Sequence, residues 1–300
     1  MQFFGGIEMG GTKIICLVAR SPREIIAEER IPTTYPDETI QKIINFFNPF
    51  KKTDKLSAIG IASFGPADLD KSSPTFGYIT STPKPGWKNF NLYDSIYQGL
   101  ELPVCLDTDV NAAAIGEQFW QTNNQFLDPF IYVTIGTGIG VGVIVNGLPL
   151  HGLIHPEAGH MLIPHDKSKD PFPGGCPVHH DCWEGLASGP SLQKRWGQPA
   201  ETLPLDHPGW ELESDYVAYA LLNLIYVYSP RRIVLGGGVA QHQGLIEDVR
   251  NKVVKYNNGY IQSSFLQEKI DEYIRMPVLG HRSGALGAIA MAIKSIEKGN

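Results

Sequence analysis

Positive charge is in short supply in this chain: 25 Lys and Arg face 31 Asp and Glu, for a formal net charge of -6. That balance excludes a broad nucleic-acid footprint, because phosphate backbones select basic surfaces, and no basic run reverses it. Long hydrophobic runs are missing as well. No stretch approaches the roughly 18 uninterrupted apolar residues of a membrane helix, and the N-terminus lacks the basic start and apolar run of a secretion signal. The expected partners therefore include neither nucleic acid nor a membrane, and the expected compartment is the cytoplasm. Cysteine is rare, with four in 300 residues; in a reducing compartment the expected uses are as a buried apolar residue or a metal ligand, with a disulfide as the alternative. Apolar residues are plentiful: 42% hydrophobic content supports a sizeable core, in one large domain or two of ordinary size.

Two of the cysteines, Cys16 and Cys105, lie in apolar, strand-like runs and read as buried small hydrophobes. The other two belong to a polar loop, "GGCPVHHDCWEG", from Gly174 to Gly185. Equal gaps of two residues separate Cys176, His179 and Cys182, so a short turn can aim all three at one point. The preferred fourth ligand is His160, which ends "HPEAGH" and leads into the apolar "MLIP"; His155 and His180 are the alternatives. Two thiolates and two imidazoles suit zinc in a tetrahedron with no open position for water, which makes the expected ion structural rather than catalytic.

Glycine turns recur along the chain. "EMGGTK" ends a strand with Glu8 and continues through Gly10, Gly11, Thr12 and Lys13 into a second strand. "TIGTGIG" repeats the arrangement at Gly136, Thr137, Gly138 and Gly140. Backbone N–H groups of such turns can surround phosphate oxygens without side chains intruding. Neither turn leads into a helix, so neither is the dinucleotide fingerprint, and no G-x-x-x-x-G-K-[ST] is present. What remains is a phosphate site built from two hairpins. Between them in sequence, "DTDVNAAA" places Asp109 at a strand-to-helix turn, where it is either an ordinary helix cap or a carboxylate able to take the proton of an attacking hydroxyl. Polar, turn-rich residues 123–129 mark an expected domain boundary.

These segments, in this order, resemble the ROK family of bacterial sugar kinases within the actin-like ATPase superfamily. The resemblance rests on "EMGGTK", "DTDVNAAAIGE", "TIGTGIG", "HPEAGH" with "CPVHHDCWEGLASGP", and "VLGGGVA", and it spans nearly the whole chain. Within the family the chain looks most like the fructokinases, given its C-x-x-H-x-x-C loop, "SFGPAD" and "LASGPS".

The resemblance implies an α/β, two-domain actin-like ATPase (ribonuclease H-like) fold with a cleft between the domains. The implied domains are residues 1–118, joined by the C-terminal helix at about 284–300, and a larger domain at 119–283 carrying the zinc loop. It implies transfer of the γ-phosphate of ATP to the 6-hydroxyl of a hexose, fructose first, with glucose or mannose as alternatives and a non-catalytic sugar-responsive regulator as the alternative of another class. Asp109 is implied as general base, and Gly65, Asn111, Glu157, His160 and Glu184 as sugar-binding residues. The nucleotide would contact Gly10, Gly11, Thr12, Lys13, Thr134, Gly136, Thr137, Gly138, Pro190, Gly236, Gly237, Gly238, Val239 and Ala240. Glu8 and Asp109 would hold Mg2+ through water, with ATP and ADP as partners and a homodimer as the assembly. Two positions depart from the family pattern: Glu8 stands where most members have Asp, and Thr108 stands where glucokinases have an Asn that contacts the sugar. The start of the chain, a few residues before the first phosphate strand, leads us to expect no N-terminal helix-turn-helix of the kind that family repressors carry.

Overall fold

The structure is a computed structural model and describes residues 2–52, 55–82, 84–121 and 127–297. Most of the expected boundary, residues 123–126, lies outside the described residues, as do residues 298–300 of the expected last helix. The chain divides into two units: Met1–Phe126 with Pro149–His155 and Val278–Asn300, and Leu127–Leu148 with Pro156–Pro277. Residues 149–155, which the sequence reading assigned to the larger domain, thus fall in the first unit, where buried His155 accepts a hydrogen bond from Ala67 N at 3.4 Å.

Unit 1 contains β1 (Phe3–Met9), β2 (Lys13–Ser21), β3 (Glu24–Pro32), α1 (Pro36–Lys51), β4 (Leu56–Ser63), the short pair β5 (Tyr78–Ile79) and β6 (Phe90–Asn91), α2 (Leu92–Leu100), β7 (Val104–Thr108) and α3 (Asp109–Phe119). Its main sheet runs β3-β2-β1-β4-β7, with β1–β2 antiparallel and β1–β4 and β4–β7 parallel. Alternation along β2 explains why both faces are covered. Ile14, Cys16 and Val18 join one cluster with Phe47 and Trp87, while Ile15, Leu17 and Ala19 join Leu286 and Ile289 on the other, as a period of two requires. Leu286 and Ile289 belong to the final helix, Ser283–Glu297, numbered α10 below. That helix is rich in Ala and Gly because the backbones approach closely: a Cβ at Gly60 would lie 1.9 Å from Ala288 O, and one at Gly287 would lie 1.8 Å from Ala112 O.

Unit 2 contains β8 (Phe130–Ile135), β9 (Ile139–Val145) and, at the unit boundary, β10 (Leu148–Pro149). It continues with α4 (Trp183–Ala187), α5 (Gly189–Trp196), α6 (Gly209–Tyr228), β11 (Arg232–Gly236), α7 (Leu245–Asn257), α8 (Ser264–Gln267), α9 (Ile270–Tyr273) and β12 (Ile274–Arg275), before the chain returns to unit 1 with α10. Its sheet runs β10-β9-β8-β11-β12, with β8–β9 antiparallel and β8–β11 and β11–β12 parallel. The order and sense are those of the first sheet. Each sheet therefore starts from a strand, a glycine turn and an antiparallel strand, and this duplication is what the repeated glycine motifs encode. Among the described residues, no helix is long and apolar enough to cross a membrane.

Candidate functional site

The first glycine turn is a tight connection between β1 and β2. Gly10 N donates to Lys13 O at 2.9 Å, and a Cβ on Gly10 would lie 2.7 Å from that oxygen. Thr33 ties the turn down from β3's end: its N–H donates to Thr12 O at 3.0 Å and its hydroxyl to Gly10 O at 2.8 Å. Thr12 and Lys13 are exposed. Two residues before Gly10, Glu8 accepts from Ala285 N at 2.9 Å at the start of α10, where the helix dipole favours a carboxylate. Burial, then repulsion from Asp109, nonetheless push the Glu8 carboxyl up to about 7.

Asp109 opens α3. Thr108 is the cap residue, its hydroxyl accepting from Asn111 N at 3.2 Å, so the cap reading belongs to Thr108. Asp109 is left with one oxygen receiving Val110 N at 2.9 Å, and burial pushes its carboxyl up to about 6. Two acids that push against each other, on a strand end and a helix start, suit a hydrated divalent cation.

Asn111 is buried, donates to Asp107 Oδ1 at 2.7 Å, and leaves its own Oδ1 without a partner among the described residues. His151 Nε2 lies 3.2 Å from Asp107 Oδ2, and that bond pushes the imidazole's pKa up. Neither Asp107 nor His151 was singled out by the sequence. The Asp before "TD" carried a signal, since buried acids need partners; His151 carried none. Gly65 packs beside His155, a Cβ there falling 3.1 Å from His155 Cε1.

Unit 2 holds a His/Cys cluster that could hold a metal ion. One ligand atom each from His160, Cys176, His179 and Cys182 lies within 4.8 Å of the other three. The shorter edges are Cys182 Sγ to His160 Nδ1 at 3.6 Å, Cys176 Sγ to His179 Nδ1 at 3.8 Å and Cys176 Sγ to His160 Nδ1 at 3.9 Å. Metal bonds of about 2.0–2.3 Å in a tetrahedron give edges of roughly 3.3–3.8 Å, which the two shortest edges match and the others exceed, and two thiols with two imidazoles are donor types that suit zinc. His155 lies in unit 1 and His180 is outside the cluster, its backbone paired with Cys176, so His160 is the fourth member of the candidate donor set. Both loop cysteines are free and buried.

The same loops carry two carboxylates. Glu157 is exposed just before the turn Ala158–His160. Glu184 follows Cys182 at the start of α4, and its Oε2 accepts Ile139 N at 2.9 Å, directly after the second glycine turn. That turn is closed by Gly136 N donating to Gly138 O at 2.9 Å.

A cavity of about 650 Å³ opens beside it, lined by Gly136, Thr137, Pro190, Gly238 and Val239 from the expected nucleotide residues. Thr134, Gly138, Gly236, Gly237 and Ala240 do not line it. Gly237 has φ 92°, and a Cβ there would lie 2.2 Å from Ile135 O; one at Gly236 would lie 2.5 Å from Tyr132 Oη. These two glycines let β11 turn close against β8. Gln193, Glu201, Trp210 and His242 are also part of the lining, and the rings of Trp210 and His242 stack at 3.5 Å. The sequence reading missed all four. Their positions on α5, the turn Ala200–Thr202, α6 and the connection between β11 and α7 follow no local motif.

Comparison with known proteins adds the remaining observation. The profile of the ROK family matches residues 4–295. The chain belongs to the ROK family. Among its relatives are the fructokinase of Lactococcus lactis subsp. cremoris, 41% identical over 99% of both chains, and that of Zymomonas mobilis, 40% identical over 99% of this chain and 98% of the relative. The ROK hexokinase of Thermus thermophilus superposes with a TM-score of 0.78 at 24% identity, covering 99% of this chain and all of that one. The duplicated sheets are those of the two-domain actin-like ATPase fold.

Proposed function

We propose that this protein is an ATP-dependent fructokinase, transferring the γ-phosphoryl group to the 6-hydroxyl of D-fructose. The observation that carries the reading is the full-length identity of about two residues in five with fructokinases, in a chain that keeps both glycine turns and an acid at Asp109. Asp109 takes the proton of the sugar's 6-hydroxyl as its oxygen bonds to the γ-phosphorus and the bond to the β-phosphate oxygen breaks, releasing ADP. With a pKa near 6, its carboxylate is mostly ionised at neutral pH yet basic enough to accept that proton.

Glu157 and Glu184 accept hydroxyls of the sugar, with Asn111 Oδ1 as a further acceptor. The two glycine turns bind phosphate oxygens through backbone N–H groups, Thr12 and Thr137 adding hydroxyls, and Trp210 and His242 wall the base. Glu8 and Asp109 would hold Mg2+ through water, and the ion supplies neutralisation of charge on the β- and γ-phosphates. His160, Cys176, His179 and Cys182 would hold Zn2+. Its chemistry is structural: fixing both cysteines and His160 fixes the backbone that carries Glu157 and Glu184.

The expected setting is a cytoplasmic homodimer, tested by sedimentation of the purified protein. The test of the reaction is ADP release with ATP in the presence and absence of fructose. Fructose-dependent release supports it, and release without sugar, or none with any hexose, rejects it.

A further inference from the structure

Lys84 brings a second cation to the first glycine turn. It is half-buried in the segment between β5 and β6, and a Cβ added at Gly11 would lie 3.3 Å from its Cε and 3.6 Å from its Nζ. Its ammonium lies 5.7 Å from the centroid of the Phe64 ring, a weak attraction that holds the charge over an apolar face. No ion pair involves Lys84 among the described residues. Lys13, the other cation at this turn, is exposed at the start of β2, and its charge draws the Glu8 carboxyl down against burial.

The position of Lys84 is braced to the turn itself. Trp87 is buried, packs its ring against Phe64 at 5.8 Å and donates its Nε1–H to Thr34 O at 2.8 Å. The neighbouring Thr33 makes the two bonds to Thr12 O and Gly10 O. Hydrogen bonds on either side of the Thr33–Thr34 backbone therefore link the segment bearing Lys84 to the glycine turn. Lys84 N is held in turn by Thr82 Oγ1 at 3.3 Å. The Gly10 N–H is spent on Lys13 O, whereas those of Gly11 and Thr12 make no hydrogen bond among the described residues; an unpaired ammonium beside them makes an anion site with two kinds of donor.

Resting on the proposed kinase activity, we infer that Lys84 is a further catalytic residue, whose ammonium contacts the terminal phosphate of a nucleotide seated on the first glycine turn. It neutralises charge on the transferring phosphoryl group and undergoes no covalent change. Contact with the terminal phosphate makes the residue sensitive to the difference between a nucleoside triphosphate and a diphosphate, and insensitive to the sugar.

Lys84→Met keeps most of the side chain's length and apolar packing and removes the charge; Lys84→Arg keeps the charge. Titration calorimetry with Mg2+ and either a non-hydrolysable ATP analogue or ADP reads the site directly. For the Met variant we expect affinity for the analogue to fall about tenfold and that for ADP to change less than about twofold. We also expect turnover with fructose to fall about 10²-fold, the Michaelis constant for fructose to hold within about twofold, and Arg to restore part of both losses. Equal losses for both nucleotides, no loss, or a change confined to fructose would overturn the assignment, the last by giving Lys84 to the sugar. The titrations need no turnover, so they judge Lys84 even if the unmodified protein phosphorylates another hexose. Absence of fructose turnover in the unmodified protein counts against the fructokinase reading alone.

Discussion

Replacing Asp109 by Asn should separate catalysis from stability, and in opposite directions. The amide can still receive Val110 N, as Asp109 Oδ1 does at 2.9 Å, but it cannot take a proton from a hydroxyl. Turnover should fall about 10²-fold or more, equivalent to ~2.7 kcal/mol of barrier. Affinity for ATP and fructose should hold within a few-fold.

Stability should move the other way. Burial raises the Asp109 carboxyl from the usual 3.8 to about 6, so the folded state favours the protonated form. The stability tied to this group is complete below pH ~4, declines as the pH rises through about 6, and is absent at pH 8. An offset of roughly two pH units corresponds to ~3 kcal/mol, an order-of-magnitude figure. The uncharged amide escapes that loss. The variant should therefore unfold later than the unmodified protein at pH 8 and at the same point near pH 4, read by denaturant titration at both. Turnover of the unmodified protein should fall about tenfold between pH 7 and pH 5, as a base of pKa near 6 demands. Near-normal turnover in the Asn variant, or no gain in stability at pH 8, would refute the reasoning.

Metal analysis of protein purified without added metal should find about one zinc per chain, and chelation should lower the melting temperature by about 5–10 °C. No zinc, with Cys176 and Cys182 disulfide-linked, would contradict the donor geometry. Fructose should be preferred over glucose by at least about tenfold in kcat/KM, ~1.4 kcal/mol, because a site built around one set of hydroxyls leaves buried acceptors unpaired with another. Thr108→Asn should narrow that gap while preserving the α3 cap, since Asn caps as well as Thr; steady-state kinetics on both sugars read both outcomes. Gly60→Ala should cost about 3 kcal/mol or more in unfolding free energy, because the added methyl meets Ala288 O and both backbones belong to packed elements.

The sequence by itself determined the elements whose causes are local. Both glycine turns were legible because tight β-hairpins need residues without Cβ. The C-x-x-H-x-x-C loop was legible because donors at turn spacing can converge on one point. Asp109 stood out at a strand-to-helix junction, and Cys16 read as core from the alternation around it. Only the tertiary structure decided what depends on distant partners. His160 rather than His155 completes the donor set, because His155 packs against residues 65–67 in the other unit. Gly236 and Gly237 bring β11 close to β8 and do not line the cavity, which is lined instead by Trp210 and His242. Thr108, and not Asp109, caps α3, which leaves the half-buried Asp109 carboxylate without that role and its pKa raised by desolvation. Lys84 stands beside Gly11, 73 positions away in the chain, because Trp87 and Thr33 tie two segments together. Turn chemistry is written in neighbouring residues, whereas burial, charge repulsion and convergence of side chains exist only once remote segments pack.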